Sequence, residues 1–272
     1  MDNLKNYFLA AALAGGFYLG TAQISFGQNV ITDGNFTSLT PTNTGGQLGD
    51  EVTAAGWSST GYNFVFPSGD AGDVAVTGSD GALSLWGPNT GSANGLTTPP
   101  NGGNVVADDG AYEVGPLTQS VSVKPSTTYV VSFYWAGAQQ SGFNGATTEG
   151  WSVALGAPTG VYTQGSGDTS GTLAGGQTIT PVANVSHGFT GWMLQSFDFT
   201  TPSGSNPETE TLYFLANGTP TGEPPFSLLS GVTMTVVPEP ATSATWTLLF
   251  GMLILAGNRA WRLYQKRSAT NS

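Results

Sequence analysis

The chain has 272 residues, no cysteine and a formal net charge of −11. The missing cysteines exclude disulfides, thiolate metal sites and a cysteine nucleophile. Residues 28–237 contain fifteen acidic residues and one basic residue, Lys124, which argues against nucleic-acid binding because that depends on basic side chains meeting phosphates. An acidic chain of this kind suits cations or neutral ligands such as sugars.

Residues 1–27 are predicted to be a cleavable signal peptide. A short polar start with Lys5 precedes an apolar run at residues 7–22. Small residues at 20–22 and 25–27 offer two cleavage sites of the kind found in exported proteins. A retained N-terminal anchor is the alternative.

Residues 28–237, about 210 residues, are predicted to form one all-β domain, a jelly-roll β-sandwich. Apolar side chains recur at every second position between turns rich in Gly, Pro, Asn and Ser. In residues 129–135, one face carries Tyr129, Val131, Phe133 and Trp135. Inward-facing residues are also predicted on other strands, namely Val121, Val123, Trp151, Val153, Leu155, Phe197, Phe199, Val232, Met234 and Val236.

Other segments of this domain have distinct patterns. Residues 212–216 are apolar on both faces, which is typical of a central, covered strand. Residues 124–127 have the composition of a turn. Long loops are predicted at residues 67–80, 88–104 and 156–178.

Three residues are predicted to contact a ligand: Trp86, Asn104 and Asp109. Ligand sites combine aromatic surface with a few polar groups that fix orientation. Trp86 is followed by Gly87-Pro88-Asn89 and is therefore expected to face a groove between loops. Trp135 and Trp151 alternate with apolar strand residues and are expected to lie in the core.

No metal ligand is assigned from the sequence. Calcium is the metal best suited to this composition, because it prefers carboxylate and carbonyl oxygens. Asp108-Asp109-Gly110 offers such oxygens, although acids beside glycine more often form turns.

No catalytic residue is assigned, and the protein is expected not to be an enzyme. His187, the only histidine, would have to serve any Ser-His-Asp triad, and its surroundings favour a turn or packing role. Glycoside hydrolysis needs two carboxyl groups on either side of a bond. Glu113 and Glu149 are the candidates, but neither lies in a recognisable signature.

Residues 238–267 combine three features in a fixed order. Pro238-Glu239-Pro240 comes first, followed by eighteen uncharged residues, 241–258. As a helix these would reach about 27 Å, close to the thickness of a bilayer core. Four basic residues then follow, namely Arg259, Arg262, Lys266 and Arg267. A transmembrane helix with its basic end in the cytoplasm is predicted.

This order resembles the PEP-CTERM sorting signal of Gram-negative bacteria that produce exopolysaccharide. The resemblance implies processing near Pro238-Glu239-Pro240 by an exosortase, after a transient stay in the inner membrane. The mature protein would then lie at the cell surface or in the extracellular matrix of a biofilm.

The central domain is similar to the galactose-binding-like jelly rolls of carbohydrate-binding modules. The segments that carry this similarity are Asp33-Gly34-Asn35-Phe36, Gly56-Trp57, Gly102-Gly103-Asn104-Val105-Val106 and Gly191-Trp192. Together with the sorting signal, this similarity suggests a non-catalytic surface or matrix protein whose jelly roll contacts exopolysaccharide. A structural envelope or biofilm protein with protein partners, and a glycan-active enzyme, are the alternatives.

Related jelly rolls often hold a structural calcium with an early Asn-Phe-Glu and an acid in the last strand. Here Thr37 follows Asn35-Phe36, and Ser230-Gly231 stands where the acid is expected. Both carboxylates of that site are therefore missing.

Overall fold

The computed structural model describes residues 27–156, 173, 175–204 and 208–237. All regular secondary structure in these residues is β-strand, which confirms the all-β prediction. The described part of the chain contains no helix of the length and hydropathy that a membrane span requires. The predicted sorting segment 238–267, and the predicted signal peptide except Gly27, lie outside the described residues.

The described residues contain sixteen strands. They are β1 (Leu39–Thr40), β2 (Gly46–Gln47), β3 (Thr53–Ala54), β4 (Trp57–Ser59), β5 (Asn63–Phe66), β6 (Val76–Gly78), β7 (Gly81–Leu83), β8 (Val105–Asp109), β9 (Leu117–Val123), β10 (Thr128–Gln139), β11 (Thr147–Leu155), β12 (Gln177–Thr178), β13 (Val182–Asn184), β14 (Met193–Thr200), β15 (Glu208–Thr219) and β16 (Pro225–Val236).

The two main sheets form a β-sandwich. The larger sheet has the strand order β14-β10-β16-β8-β5-β2-β6-β7. The smaller has the order β12-β11-β15-β9-β4, with β13 also paired to β11. The pairing of β2 with β6 is parallel, and the long central strands pair antiparallel. The finer jelly-roll assignment stays a prediction.

The main core lies between the two sheets and is centred on Phe214. Its ring lies 5.1 Å from Phe133, 6.0 Å from Trp151 and 6.2 Å from Trp57, measured between ring centroids. The period-two prediction for residues 129–135 is confirmed, because Tyr129, Val131, Phe133 and Trp135 are all buried. The prediction of a buried Trp151 and of a central strand at residues 212–216 is also confirmed.

A second hydrophobic cluster covers the other face of the larger sheet. Strand β8 shows why: Val106 packs in the main core, whereas Val105 and Ala107 point the opposite way. Side chains from residues 71–96 pack on this outer face. The loop prediction for residues 67–80 is wrong in part, because β6 forms within it by pairing with β2 and β7. Most of the predicted loop at 156–178 lies outside the described residues.

Candidate ligand-binding site

A cleft of about 380 Å³ opens at one end of the larger sheet. Strands β8 and β10 end there, while β5 and β16 begin there, so that Asp109 pairs with Phe226 and Gln139 with Pro225. Antiparallel pairing therefore brings distant parts of the chain to one edge. We call this site the Tyr112 cleft; its lining includes Tyr62, Asp80, Asp109, Tyr112, Gln140 and Phe143.

Aromatic rings form much of the wall of the Tyr112 cleft. Tyr62 is buried and meets Tyr112 edge-to-face, with ring centroids 5.3 Å apart and ring planes at 90°. Tyr112 and Phe143 are 38% and 36% exposed, respectively. Because a concave site lined by aromatic rings is the usual form of a ligand pocket, the exposed rings of Tyr112 and Phe143 make this cleft the candidate binding surface.

Hydrogen-bonding groups accompany these rings. The Tyr112 hydroxyl donates to Asp80 Oδ2 over 3.4 Å at the exposed rim of the cleft. Gln140 is half-buried and supplies an amide. Burial, together with the negative charges of Asp80 and Asp109, raises the pKa of Tyr62 to about 12. The Tyr62 hydroxyl is therefore protonated at neutral pH.

Asp109 is a buried carboxyl in the lining of the cleft. It is 2% exposed, and its Oδ1 accepts a hydrogen bond from the Ala111 backbone N–H over 2.8 Å. Its Oδ2 has no hydrogen-bond partner within the described residues. Burial raises the pKa of Asp109 to about 7, although the backbone N–H groups of Ala111 and Tyr112 oppose that shift.

Asp108 points into the sandwich, on the face of β8 opposite to Asp109. Neither of its carboxyl oxygens has a partner in the part of the chain that the structure describes. Burial, and secondarily the charge of Asp109, raises the pKa of Asp108 well above its usual value. The interpretation of Asp108-Asp109-Gly110 as a turn is wrong for both acids, because β5 and β16 pair with β8 on either side and extend the sheet to Asp109.

Trp86 supports a neighbouring loop. Its indole stacks on His187, with ring centroids 4.0 Å apart and planes 31° apart. The Trp86 Nε1–H donates to the Phe143 carbonyl over 2.9 Å, while His187 Nε2 lies 2.7 Å from Asn144 Oδ1. Trp86 therefore holds Phe143, a lining residue of the Tyr112 cleft, but does not line the cleft itself. His187 covers one face of its indole. His187 sits in a turn at φ 60°, as its sequence surroundings indicate.

Asn104 lies at the far end of β8 from the cleft. It stands five positions before Asp109 in the sequence, which corresponds to about 16 Å along a strand. Its Nδ2 donates to the Phe36 carbonyl over 2.6 Å, and its Oδ1 accepts from the Ser68 backbone N–H over 2.9 Å. Of the three residues predicted to contact a ligand, only Asp109 lines the cleft directly.

The residues compared with a calcium site in the sequence, Asn35 and Ser230, belong to an amide network. Asn101 Nδ2 donates to Asn35 Oδ1 and to Ser230 Oγ, both over 3.0 Å. The Asp33 carboxylate accepts from the backbone N–H groups of Thr37 and Ser38, each over 2.9 Å. Asn101 Oδ1 has no partner among the described residues, but Asn35, Asn101 and Ser230 supply none of the carboxylates that a calcium ion prefers, and both oxygens of Asp33 already accept backbone N–H groups.

No other metal cluster is evident in the described ranges. Within residues 27–156, 173, 175–204 and 208–237, no three His, Asp or Glu side chains gather closely enough to hold an ion.

The two glutamates considered for catalysis do not line the Tyr112 cleft. Glu149 is 0% exposed and lies between the sheets. The Thr147 hydroxyl donates a hydrogen bond to Glu149 Oε1. Burial raises the pKa of Glu149 to about 8, although hydrogen bonds from Thr147 and Asn184 act to lower it. Glu113 is half-buried in the turn after β8, at φ 44°.

Sequence reasoning missed Tyr62, Asp80, Tyr112, Gln140 and Phe143 as site residues. A partial signal was present, because Tyr112 follows Asp109 by three residues after a glycine. Tyr62 and Asp80 carry no such signal, since their place in the cleft depends on the order of strands in the sheet.

No family model and no curated protein matches this chain. Solved structures similar to it include a cyclase from Fischerella sp. TAU, with 14% identity over 79% of this chain and 99% of that one, and a TM-score of 0.45. The CBM22-1 xylan-binding domain of Xyn10C from Paenibacillus barcinonensis is 14% identical over 78% and 97% of the two chains, with a TM-score of 0.35. A family 16 carbohydrate-binding module is 14% identical over 49% and 77%, with a TM-score of 0.25. All three TM-scores lie below 0.5.

Proposed function

We propose that this protein is an exported, non-catalytic surface protein that binds exopolysaccharide or another surface glycan through the Tyr112 cleft. The observation that carries the proposal is the meeting of exposed aromatic rings and hydrogen-bonding groups in one concave site. Tyr112 and Phe143 present ring surface to solvent, and Asp80 and Gln140 lie beside them.

Sugars present two kinds of surface that such a cleft matches. The C–H face of a pyranose ring is apolar and packs against an aromatic ring, which loses little conformational entropy on binding. The hydroxyl groups around the ring edge need hydrogen-bond partners once they leave water. Carboxylate and amide side chains such as Asp80 and Gln140 supply acceptors and donors for them.

The two glutamates that the sequence offered for catalysis, Glu113 and Glu149, give no support to a glycosidase, and the carboxyl groups of the cleft, Asp80 and Asp109, are assigned to ligand binding. Glu149 is enclosed in the core and does not reach the cleft, and Glu113 does not line it. A glycosidase of the common kind needs two carboxyl groups on either side of the bond to be cleaved.

The proposed location comes from the sequence of the two ends. An N-terminal apolar run, the Pro238-Glu239-Pro240 motif and the basic residues from Arg259 onward support export and transient anchoring in the inner membrane. We propose exosortase as the processing partner. Such a protein would meet exopolysaccharide outside the cell.

A glycan array followed by isothermal titration with the full 272-residue chain tests the proposal. The Tyr112→Ala and Phe143→Ala variants are each expected to weaken glycan binding by about tenfold, since about 1.4 kcal/mol is lost with one ring contact. The matched control is Leu194→Ala, which removes a 63% exposed side chain on β14 and should leave the affinity unchanged. Absence of binding to any glycan, or equal binding by all variants, would contradict the proposal.

A further inference from the structure

We propose that the Tyr112 cleft selects glycans with free amino groups, so that protonated hexosamine units bind more tightly than N-acetylated or acidic ones. This inference rests on the proposed function and names the substrate class of the same site. It follows from the charges and rings that line the cleft.

Two carboxyl groups from different segments meet in the cleft. Asp109 is 98% shielded from solvent, at the end of β8, and its Oδ2 lacks a partner among the described residues. Asp80 stands at the exposed rim, within 3.4 Å of the Tyr112 hydroxyl. An ammonium group offers up to three N–H donors, which is the complement that an unpartnered carboxylate oxygen needs.

Aromatic rings strengthen the preference for a cation. Tyr62, Tyr112 and Phe143 all line the cleft, and the face of an aromatic ring attracts ammonium groups within about 6 Å. A combination of rings and carboxylates around one cavity favours an amine over a neutral amide of similar size. The N-acetyl group of an acetylated sugar carries no positive charge, so these rings and carboxylates do not attract it in this way.

The cleft contains no basic side chain to bind an acidic sugar. Within residues 27–237 the sequence has a single Lys or Arg, Lys124. Lys124 precedes β10, whereas Gln140 follows it, so about 35–40 Å of strand separates this cation from the cleft. That distance is several Debye lengths at physiological salt, where the length is about 8 Å. A uronate unit would therefore meet only negative charge.

The ionisation of the Asp109 carboxyl suits an amine ligand near neutral pH. Asp109, with its pKa of about 7 in the absence of ligand, is about half ionised at pH 7. The titratable groups that face it or its neighbours are Asp80, Asp108, Tyr62, Tyr112 and Glu113. None of these is basic, so a bound ammonium group favours the ionised form of Asp109 without a competing cation.

The test compares three oligosaccharides of equal length by isothermal titration with the full chain: glucosamine tetramer, its N-acetylated form and galacturonate tetramer. At pH 6.5 and 20 mM salt, the glucosamine tetramer is expected to bind about tenfold more tightly than the N-acetylated form, as expected of a charge-assisted contact. At 200 mM salt this advantage should shrink several-fold because the charges are screened. Asp80→Asn should also reduce it, and Asp80→Asn combined with Asp109→Asn should abolish it.

The matched control is Asp198→Asn, which removes one exposed carboxylate on β14, roughly 30 Å along the sheet from the cleft. It should leave the preference for the amine intact. If the double variant keeps the preference, general attraction to an acidic protein explains it and the inference is overturned. If the N-acetylated tetramer binds as tightly as the amine in a Tyr112-dependent manner, the inference fails while glycan binding stands. If no glycan binds, the proposed function itself fails.

Discussion

Replacement of Glu149 by Gln should change how the stability of this protein depends on pH. Glu149 is fully buried between the sheets, and its Oε2 has no hydrogen-bond partner among the described residues. Burial raises the pKa of Glu149 from 4.5 to about 8 in the folded protein. The folded state therefore holds this proton up to a higher pH than the unfolded state does.

The sign of the effect follows from proton linkage. A group with a raised pKa contributes its full stability below the unfolded pKa of about 4.5 and loses it as the pH rises toward about 8. The free energy of unfolding should fall by about 1.4 kcal/mol per pH unit in this window for one such group. Between pH 5 and pH 8 this amounts to about 4 kcal/mol, an upper value for Glu149 alone.

Glu149→Gln removes the titration while it keeps the size and shape of the side chain. Urea unfolding followed by tryptophan fluorescence at pH 5, 6, 7 and 8 gives the free energy of unfolding for both proteins. The variant should gain stability relative to the wild type by up to about 1.4 kcal/mol for each unit of rising pH. Glu51→Gln, at an exposed position, is the control and should show a constant difference. A constant difference for Glu149→Gln as well would refute the reasoning.

Three further predictions concern packing and local structure. Phe214→Ala should lower the free energy of unfolding by about 3–5 kcal/mol in urea titrations, because its ring contacts three aromatic neighbours in the core; a loss below 1 kcal/mol would contradict the assigned core. Gly110→Ala should destabilise by about 1–3 kcal/mol, since a Cβ there would lie 2.4 Å from the Gly218 backbone nitrogen, and an unchanged melting temperature would show that this approach is not tight. Asp33→Ala should cost about 1–2 kcal/mol through the lost bonds to Thr37 and Ser38, whereas Asp33→Asn, which keeps one acceptor oxygen, should cost less in the same thermal melts.

The sequence predicted those features of the fold that depend on local alternation. In residues 128–135 of β10 the side chains at every second position are buried, because neighbouring residues of a strand point to opposite faces. The same rule identified Trp135 and Trp151 as core residues. The continuous apolar run at residues 212–216 predicted a central strand that is covered on both faces. Leu212, Phe214 and Ala216 pack in the main core, and Leu215 packs in a separate cluster with Tyr213.

The cleft was predictable only in part because it depends on which strands become neighbours. Asp109 was singled out, but Tyr62 and Asp80 reach the site through the pairing order of β5, β8 and β16 and through the hairpin of β6 and β7. The same pairings explain why Asp108 and Asp109 lie on a buried strand and not in a turn. A turn motif and a strand end look alike in sequence when the partner strands are unknown.

Photoaffinity mapping tests the central claim, that glycans bind in the Tyr112 cleft, most directly. An oligosaccharide that carries a diazirine group is irradiated with the full chain, and the labelled peptides are identified by mass spectrometry. Labels should concentrate on residues 109–112, 140–143 and 221–224, and excess unlabelled glycan should suppress them. Suppressible labels confined to the exposed face of β14, or labels spread evenly over the surface, would contradict the assignment of this cleft as the binding site.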